Sequence, residues 1–295
     1  MEYTQELLIN FQPKHDFFIG IDSDGCVFDN MEIKQKECFC PNYIKHWKMQ
    51  PISKYARETV EFVHLYSKWR GTNRFPGLIK VFDLLAERDE VKDRGFQLPE
   101  IDIVREWVNS GASLSNASLQ EEVEKTGDPV LSQTLQWSIG IDNSIEEMVR
   151  RVPLFPYVRE SMDKIIEKAD MVCISQSPIE ALEREWREHD IDRYPALIAA
   201  QEIGSKMDQI KLAAVEKYPA NHILIIGDAI GDLKAAKANN VAFYPINPGR
   251  EEESWQRFFD EALDRFFHKD YQGVYEDDLI RMFKALLPET PQWKK

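Results

Sequence analysis

The sequence is poor in cysteine and histidine, short of positive charge, and without long apolar runs. Its four cysteines in 295 residues, Cys26, Cys38, Cys40 and Cys173, are too few for a disulfide scaffold and fit a reducing compartment. Cys38 and Cys40 make one CxC, but no second CxC and no well-spaced histidine pair completes a zinc site. No stretch approaches the roughly 20 apolar residues that a membrane-spanning helix needs. The opening MEYTQELLINFQPKHD carries acids early and lacks an apolar run, unlike a secretory signal. A cytoplasmic protein with no membrane partner is expected. Only 37 Lys+Arg face 51 Asp+Glu, for a net charge of -14. An excess of that sign repels nucleic acid and anionic membranes, so no nucleic-acid partner is expected. A small anionic substrate is still allowed, because a metal ion or a local basic cluster reverses the field inside a cleft.

What is present is enough apolar sequence, 43% of residues, for a sizeable core. At roughly 150 residues per domain the length suggests about two domains. Five short apolar runs read as buried strands: 16–22 (DFFIGID), 170–175 (DMVCIS), 195–200 (PALIAA), 222–227 (HILIIG) and 241–246 (VAFYPI). Their apolar residues are consecutive rather than alternating, as in a parallel sheet covered on both faces. Helical patterns at 158–168, 179–189, 206–217 and 233–238 separate the last four. This rhythm predicts an α/β fold, a doubly wound, mainly parallel, five-stranded Rossmann-like sheet. Between residues 30 and 152 the rhythm lapses into helical patterns, at 53–69, 75–88 and 119–137, punctuated by RGTNRFPG and KTGDP. The expected division is a core of 1–30 plus 153–295 and an inserted, mostly helical domain of 31–152. Near-helical spacing of Trp255, Phe258, Phe259, Leu263, Phe266 and Phe267 marks a packing stripe in the C-terminal part. A second helix is expected around 277–287.

Chemistry concentrates beyond the strands. DSDGCVFD (22–29) follows the first one, and ligands of open α/β sheets gather beyond the carboxyl ends of strands. Asp22 and Asp24 there can both point into such a crevice, with Gly25 permitting a sharp turn. A phosphate ester needs an in-line nucleophile, a cation for its oxygens and an acid for its leaving alkoxide. Asp22 can attack and form an aspartyl-phosphate. Asp24 can protonate the leaving group and then deprotonate water. Alone, the motif also reads as an acidic turn or an incidental Ca²⁺ site, although it lacks the further ligands of an EF-hand. IIGDAIGDLKAA (225–236) follows another strand and carries Asp228 and Asp232. Their hard oxygens suit Mg²⁺; taken alone, Asp232 reads first as an acid at a helix N-terminus.

The two motifs together resemble those of the haloacid dehalogenase (HAD) superfamily: DxDG after the first strand and GDxxGD after a later one. Ser175 in VCISQS and Lys206 in GSKMDQI stand, in order, where that superfamily places a strand-end Ser or Thr and a Lys at the start of a helix. The resemblance covers about 16–30 and 153–246. It implies a Mg²⁺-dependent phosphoric monoester hydrolase. Asp22 would be nucleophile and metal ligand, and Asp24 acid/base with its backbone carbonyl on the metal. Asp228 would be a ligand and Asp232 a ligand directly or through water, while Ser175 and Lys206 would bind phosphate. Two departures stand out. Met207 follows Lys206 where Pro is common, with Lys211 as an alternative lysine, and Cys26 replaces a usual Thr. Carboxylates around Cys26 should raise its pKa, which suits packing rather than reactivity. An acid at Asp24 favours phosphate esters over phosphonates or haloacids. The insertion resembles a helical cap that closes over the crevice, which implies a small phosphorylated metabolite as partner. Within it, Arg70 and Arg74 in the basic KWRGTNRFPG loop are candidates for reading the substrate. A phosphomutase or phosphotransferase on the same scaffold, and a catalytically silent HAD-fold binding module, are the alternatives. The sequence does not specify the oligomeric state.

Overall fold

All five apolar runs are strands. The computed structural model describes residues 4–294. The strands are β1 (Phe17–Ile21), β2 (Ala169–Ile174), β3 (Leu197–Ala199), β4 (Ile223–Gly227) and β5 (Ala242–Pro245). They form one sheet in the order β3-β2-β1-β4-β5, with every neighbouring pair parallel. Successive strand side chains point to opposite faces, and here both faces are covered. Ile19, Ile21, Met171, Cys173, Leu224 and Ile226 share one core with Trp186 and Trp255. Phe18, Val172, Ile174, Ile225 and Phe243 share another with Ile210, Ala214 and Leu233. This two-sided burial is why the strands read as unbroken apolar runs.

The chain winds outward from β1 through β2 to β3, then crosses back to β4 and β5 on the other side of β1. The winding therefore reverses between β1 and β4, where open α/β sheets leave a crevice at their carboxyl ends. Helices Val158–Ile165, Ile179–Glu188 and Ile230–Ala238 fall on the expected helical patterns. The pattern at 206–217 forms an α-helix only over Lys206–Ile210 and continues as a π-helix over Lys211–Val215.

The chain divides into two compact units, Met1–Met31 with Arg151–Pro288 and Glu32–Arg150 with Glu289–Lys295. The first holds the sheet. The aromatic stripe belongs to it, with Trp255, Phe258 and Phe266 buried in its core. The second is helical, with its longest helices at Ser53–Leu65, Arg74–Glu87 and Pro129–Met148. The helical pattern at 119–137 is two helices, Asn116–Thr126 and Pro129–Met148, which meet at the KTGDP punctuation. Gly127 adopts a left-handed φ of 64° and ends the first. Asp128 then caps the second through Val130 N–H and Leu131 N–H, and Pro129 opens it. Glycine, acid and proline each act locally, and together they end one helix and start the next.

The last residues also depart from expectation, since Glu289–Lys295 group with the helical unit rather than with the sheet. Trp293 explains this: the Arg88 guanidinium lies 4.4 Å from its ring centroid, and Phe62 meets it edge-on at 5.4 Å. Among the described residues no helix is long and apolar enough to cross a membrane.

Ile226 is fully buried on the face that carries Trp186 and Trp255. Ile226→Ala should lower the unfolding free energy of the α/β unit by about 2–5 kcal/mol, from lost burial and a residual cavity. Urea denaturation followed by tryptophan fluorescence measures it.

Candidate active site

Asp22 and Asp228 each follow the last residue of a strand, β1 and β4, which are neighbours in the sheet. The ladder continues one residue past β1, where Asp22 N–H donates to Ile226 O at 3.0 Å. The two carboxylates therefore emerge side by side at the reversal point. Beyond Asp22 the chain folds back sharply. Val27 N–H donates to Ser23 O at 2.8 Å, and Gly25 takes a φ of 70° that side chains disfavour. Two buried indoles brace this loop: Trp186 Nε1–H donates to Ser23 Oγ at 3.0 Å, and Trp255 Nε1–H donates to Cys26 O at 2.8 Å.

Asp232 arrives from the first turn of the helix Ile230–Ala238. Its Oδ2 accepts Ala229 N–H at 3.0 Å, so it does act as an acid at a helix N-terminus, while it also faces the other two aspartates. Gly227 makes this possible. A Cβ there would lie 2.5 Å from the Asp232 Cβ, Cγ and Oδ2, so only glycine admits the Asp232 side chain against the end of β4.

One oxygen from each of Asp22, Asp228 and Asp232 lies within 4.8 Å of the others, and all three residues are buried. Lys206 Nζ reaches two of them, 2.8 Å from Asp22 Oδ1 and 2.5 Å from Asp232 Oδ1. It is the first residue of its helix, which Ser205 caps by accepting Asp208 N–H. Gln209, fully buried, fixes that helix to the strand ends by donating to Ser175 O at 3.1 Å and Ala200 O at 2.8 Å. Lys211, the alternative lysine, is exposed on the π-helical segment.

Burial pushes the Asp22 carboxyl well above its ordinary range; Lys206 opposes this, and Asp232 and Asp228 add to it. Burial also works against the Lys206 charge, but the Asp22 and Asp232 carboxylates outweigh it and hold the ammonium above its ordinary value. The buried, all-oxygen set of Asp22, Asp228 and Asp232 fits a hard divalent cation, whose charge would favour their ionised forms.

The Asp24 carboxylate is not part of this trio. Its Oδ1 accepts from Asn30 Nδ2 at 2.6 Å, and its Oδ2 accepts from Ser177 Oγ at 2.7 Å. Ser175 is buried at the end of β2; its N–H donates to Ala199 O at 2.9 Å and its Oγ accepts Ser177 N–H at 3.2 Å. Arg70 and Arg74 lie in the helical unit. Arg70 donates to Leu65 O at 3.2 Å and is 4% exposed. Arg74 pairs with Asp142 at 2.7 Å and donates to Ser138 Oγ at 3.0 Å.

The thiols offer no nucleophile. Burial pushes Cys26 and Cys173 well up, with Asp22 adding to both, and burial also raises Cys38 to about 11 and Cys40 to about 12. Sequence reasoning passed over Asn30, Ser177, Glu185 and Gln209. Only Ser177 carried a signal, as a second hydroxyl two residues after Ser175 and just before the proline that precedes a helix.

No protein-family profile and no curated protein matches this sequence. Solved structures of haloacid dehalogenase-type hydrolases are similar to it. A haloacid dehalogenase-like family hydrolase from Streptococcus pneumoniae aligns over 81% of this chain and 90% of its own, at 13% identity and a TM-score of 0.42. A protein from Bacteroides fragilis assigned to the haloacid dehalogenase-like hydrolases aligns over 82% and 93%, at 13% identity and a TM-score of 0.49. A predicted phosphoglycolate phosphatase from Haemophilus somnus aligns over 79% and 86%, at 13% identity and a TM-score of 0.40.

A carboxyl whose folded pKa lies above its ordinary 3.8 binds more protons folded than unfolded. The contribution of Asp22 to stability is therefore fullest below 3.8 and is lost as pH rises through the folded pKa. Mg²⁺ competes with those protons, so at a fixed Mg²⁺ concentration its stabilising effect should grow as pH rises, and it amounts to about 2.7 kcal/mol where Mg²⁺ is 100 times Kd. Gly227→Ala, which displaces Asp232, should remove most of the effect. Thermal unfolding with and without Mg²⁺ measures both; a midpoint indifferent to Mg²⁺ at pH 8 would contradict the cation site.

Proposed function

We propose that this chain is a HAD-superfamily phosphatase that hydrolyses a small organic phosphate monoester and depends on Mg²⁺. One observation carries the reading. Asp22, Asp228 and Asp232 meet Lys206 at the sheet's reversal point, while Asp24, two residues from Asp22, is held apart by Asn30 and Ser177. Two carboxylates close in sequence thus have two environments, which suits two roles.

In the first step an Asp22 carboxylate oxygen attacks phosphorus in line, and the bond from phosphorus to the ester oxygen breaks. Asp24 gives its proton to the departing alkoxide. In the second, Asp24 takes a proton from water, the water oxygen attacks the phosphorus of the aspartyl-phosphate, and inorganic phosphate leaves with Asp22 restored. Lys206 offsets negative charge on Asp22 and on the phosphoryl oxygens as a point charge. The Ser175 hydroxyl is the hydrogen-bonding partner for a phosphate oxygen. Bound Mg²⁺ would supply charge neutralisation of the phosphoryl oxygens.

An alkoxide leaving group is what gives an acid at Asp24 a purpose, so phosphate esters fit better than substrates that depart without a proton. The long helical insertion, placed in the chain directly after the 22–29 loop, supports a small metabolite over a folded phosphoprotein. The net charge of -14 supports neither nucleic acid nor an anionic membrane as partner.

A panel of metabolite phosphates assayed for phosphate release with Mg²⁺ tests this. Release should require the metal and vanish in Asp22→Asn. Asp24→Asn should lower kcat/KM for alkyl phosphates by about 10²–10⁴-fold, the usual share of general acid–base catalysis. Full turnover by Asp22→Asn would overturn the assignment.

A further inference from the structure

We propose that Asn30 and Ser177 form a two-point clamp that fixes the Asp24 carboxyl group for proton transfer, which makes Asn30 a positioning residue; the inference rests on the phosphatase reading above. Asn30 is fully buried, and its hydrogen bonds fix which way its amide faces. Oδ1 accepts Gly25 N–H at 3.1 Å. Nδ2 must then be the group that faces two carboxylates, Asp24 Oδ1 at 2.6 Å and Glu185 Oε2 at 3.4 Å. A flipped amide would set its oxygen against both carboxylates and its NH₂ against an N–H, losing all three bonds. The donor sense toward Asp24 is therefore enforced by the turn at Gly25 on one side and by Glu185, itself buried on the helix Ile179–Glu188, on the other.

The second point of the clamp comes from another segment. Ser177 Oγ–H donates to the other oxygen, Asp24 Oδ2, at 2.7 Å. Ser177 N–H in turn donates to Ser175 Oγ at 3.2 Å, which ties the clamp to the phosphate-binding serine. The terminal torsion of an aspartate is broad and soft. Donors on both oxygens remove that freedom, while each oxygen keeps a second lone pair on which Asp24 can carry its proton, so the group presents one geometry to the leaving group. The gain is catalytic, because a misplacement of about 1 Å at a reacting group costs about 10²-fold in rate. Asn30 and Ser177 touch neither phosphate nor leaving group in this scheme; they act through Asp24.

The decisive readout separates substrates that need a proton from those that do not. The best alkyl phosphate from the panel is compared with its bridging-sulfur analogue, whose thiolate departs without protonation. In Asn30→Ala, kcat/KM for the oxygen ester should fall about 10²-fold, and for the sulfur analogue about fivefold or less, so the oxygen-to-sulfur ratio drops. The ratio does not depend on the fraction of folded enzyme. Ser177→Ala removes a half-buried hydroxyl and should move the ratio in the same direction; it decides the matter alone if Asn30→Ala does not fold. An equal fall on both substrates, or an unchanged ratio, overturns the clamp and leaves the phosphatase reading standing. Wild-type enzyme that releases phosphate from neither ester overturns both.

Discussion

The mutual burial of three aspartates beside one lysine is the constraint on which the rest of the site depends. Charges withdrawn from water are costly unless they are paired and hydrogen-bonded. Lys206 answers part of that cost by spanning Asp22 and Asp232, and the Ala229 N–H on Asp232 answers a little more. A third buried carboxylate, Asp228, lies with them, and such an all-oxygen set fits a hard divalent cation.

Holding such a cluster requires a frame that does not relax away from it, and the sheet provides one. Asp22 and Asp228 each follow the last residue of their strand, on neighbouring parallel strands and one residue apart in register. Trp186 and Trp255 belong to the apolar core of one sheet face, yet their indole N–H groups bond the loop that follows Asp22. Gln209 does the same from the other core by tying the lysine helix to the ends of β2 and β3. The packing that stabilises the fold and the bonds that shape the site are thus made by the same side chains.

Much of this was legible in the residues. Strands buried on both faces announce themselves as apolar runs, and all five were readable to within two residues at each end. The two acidic motifs were readable because each directly follows such a run. Asn30 and Glu185 were not, because their importance lies in whom they face. An asparagine six residues after Asp24 and a glutamate on a distant amphipathic helix become neighbours only in the folded unit. The break at Gly127 shows a different limit: KTGDP was legible as punctuation, yet the helical pattern at 119–137 ran across it, and only the local geometry shows the glycine, acid and proline ending one helix and starting the next. Trp293 shows a third, since a short terminal segment packs wherever a cation and an aromatic ring offer a place, and nothing in its own sequence says which unit provides them.

The most direct measurement is anomalous diffraction from a crystal of the full chain soaked in Mn²⁺ as a stand-in for Mg²⁺. One strong peak is expected within bonding distance of Asp22, Asp228 and Asp232, with Lys206 still in contact with Asp22. Peaks confined to other parts of the surface, with the three aspartates facing only one another and Lys206, would contradict the central claim.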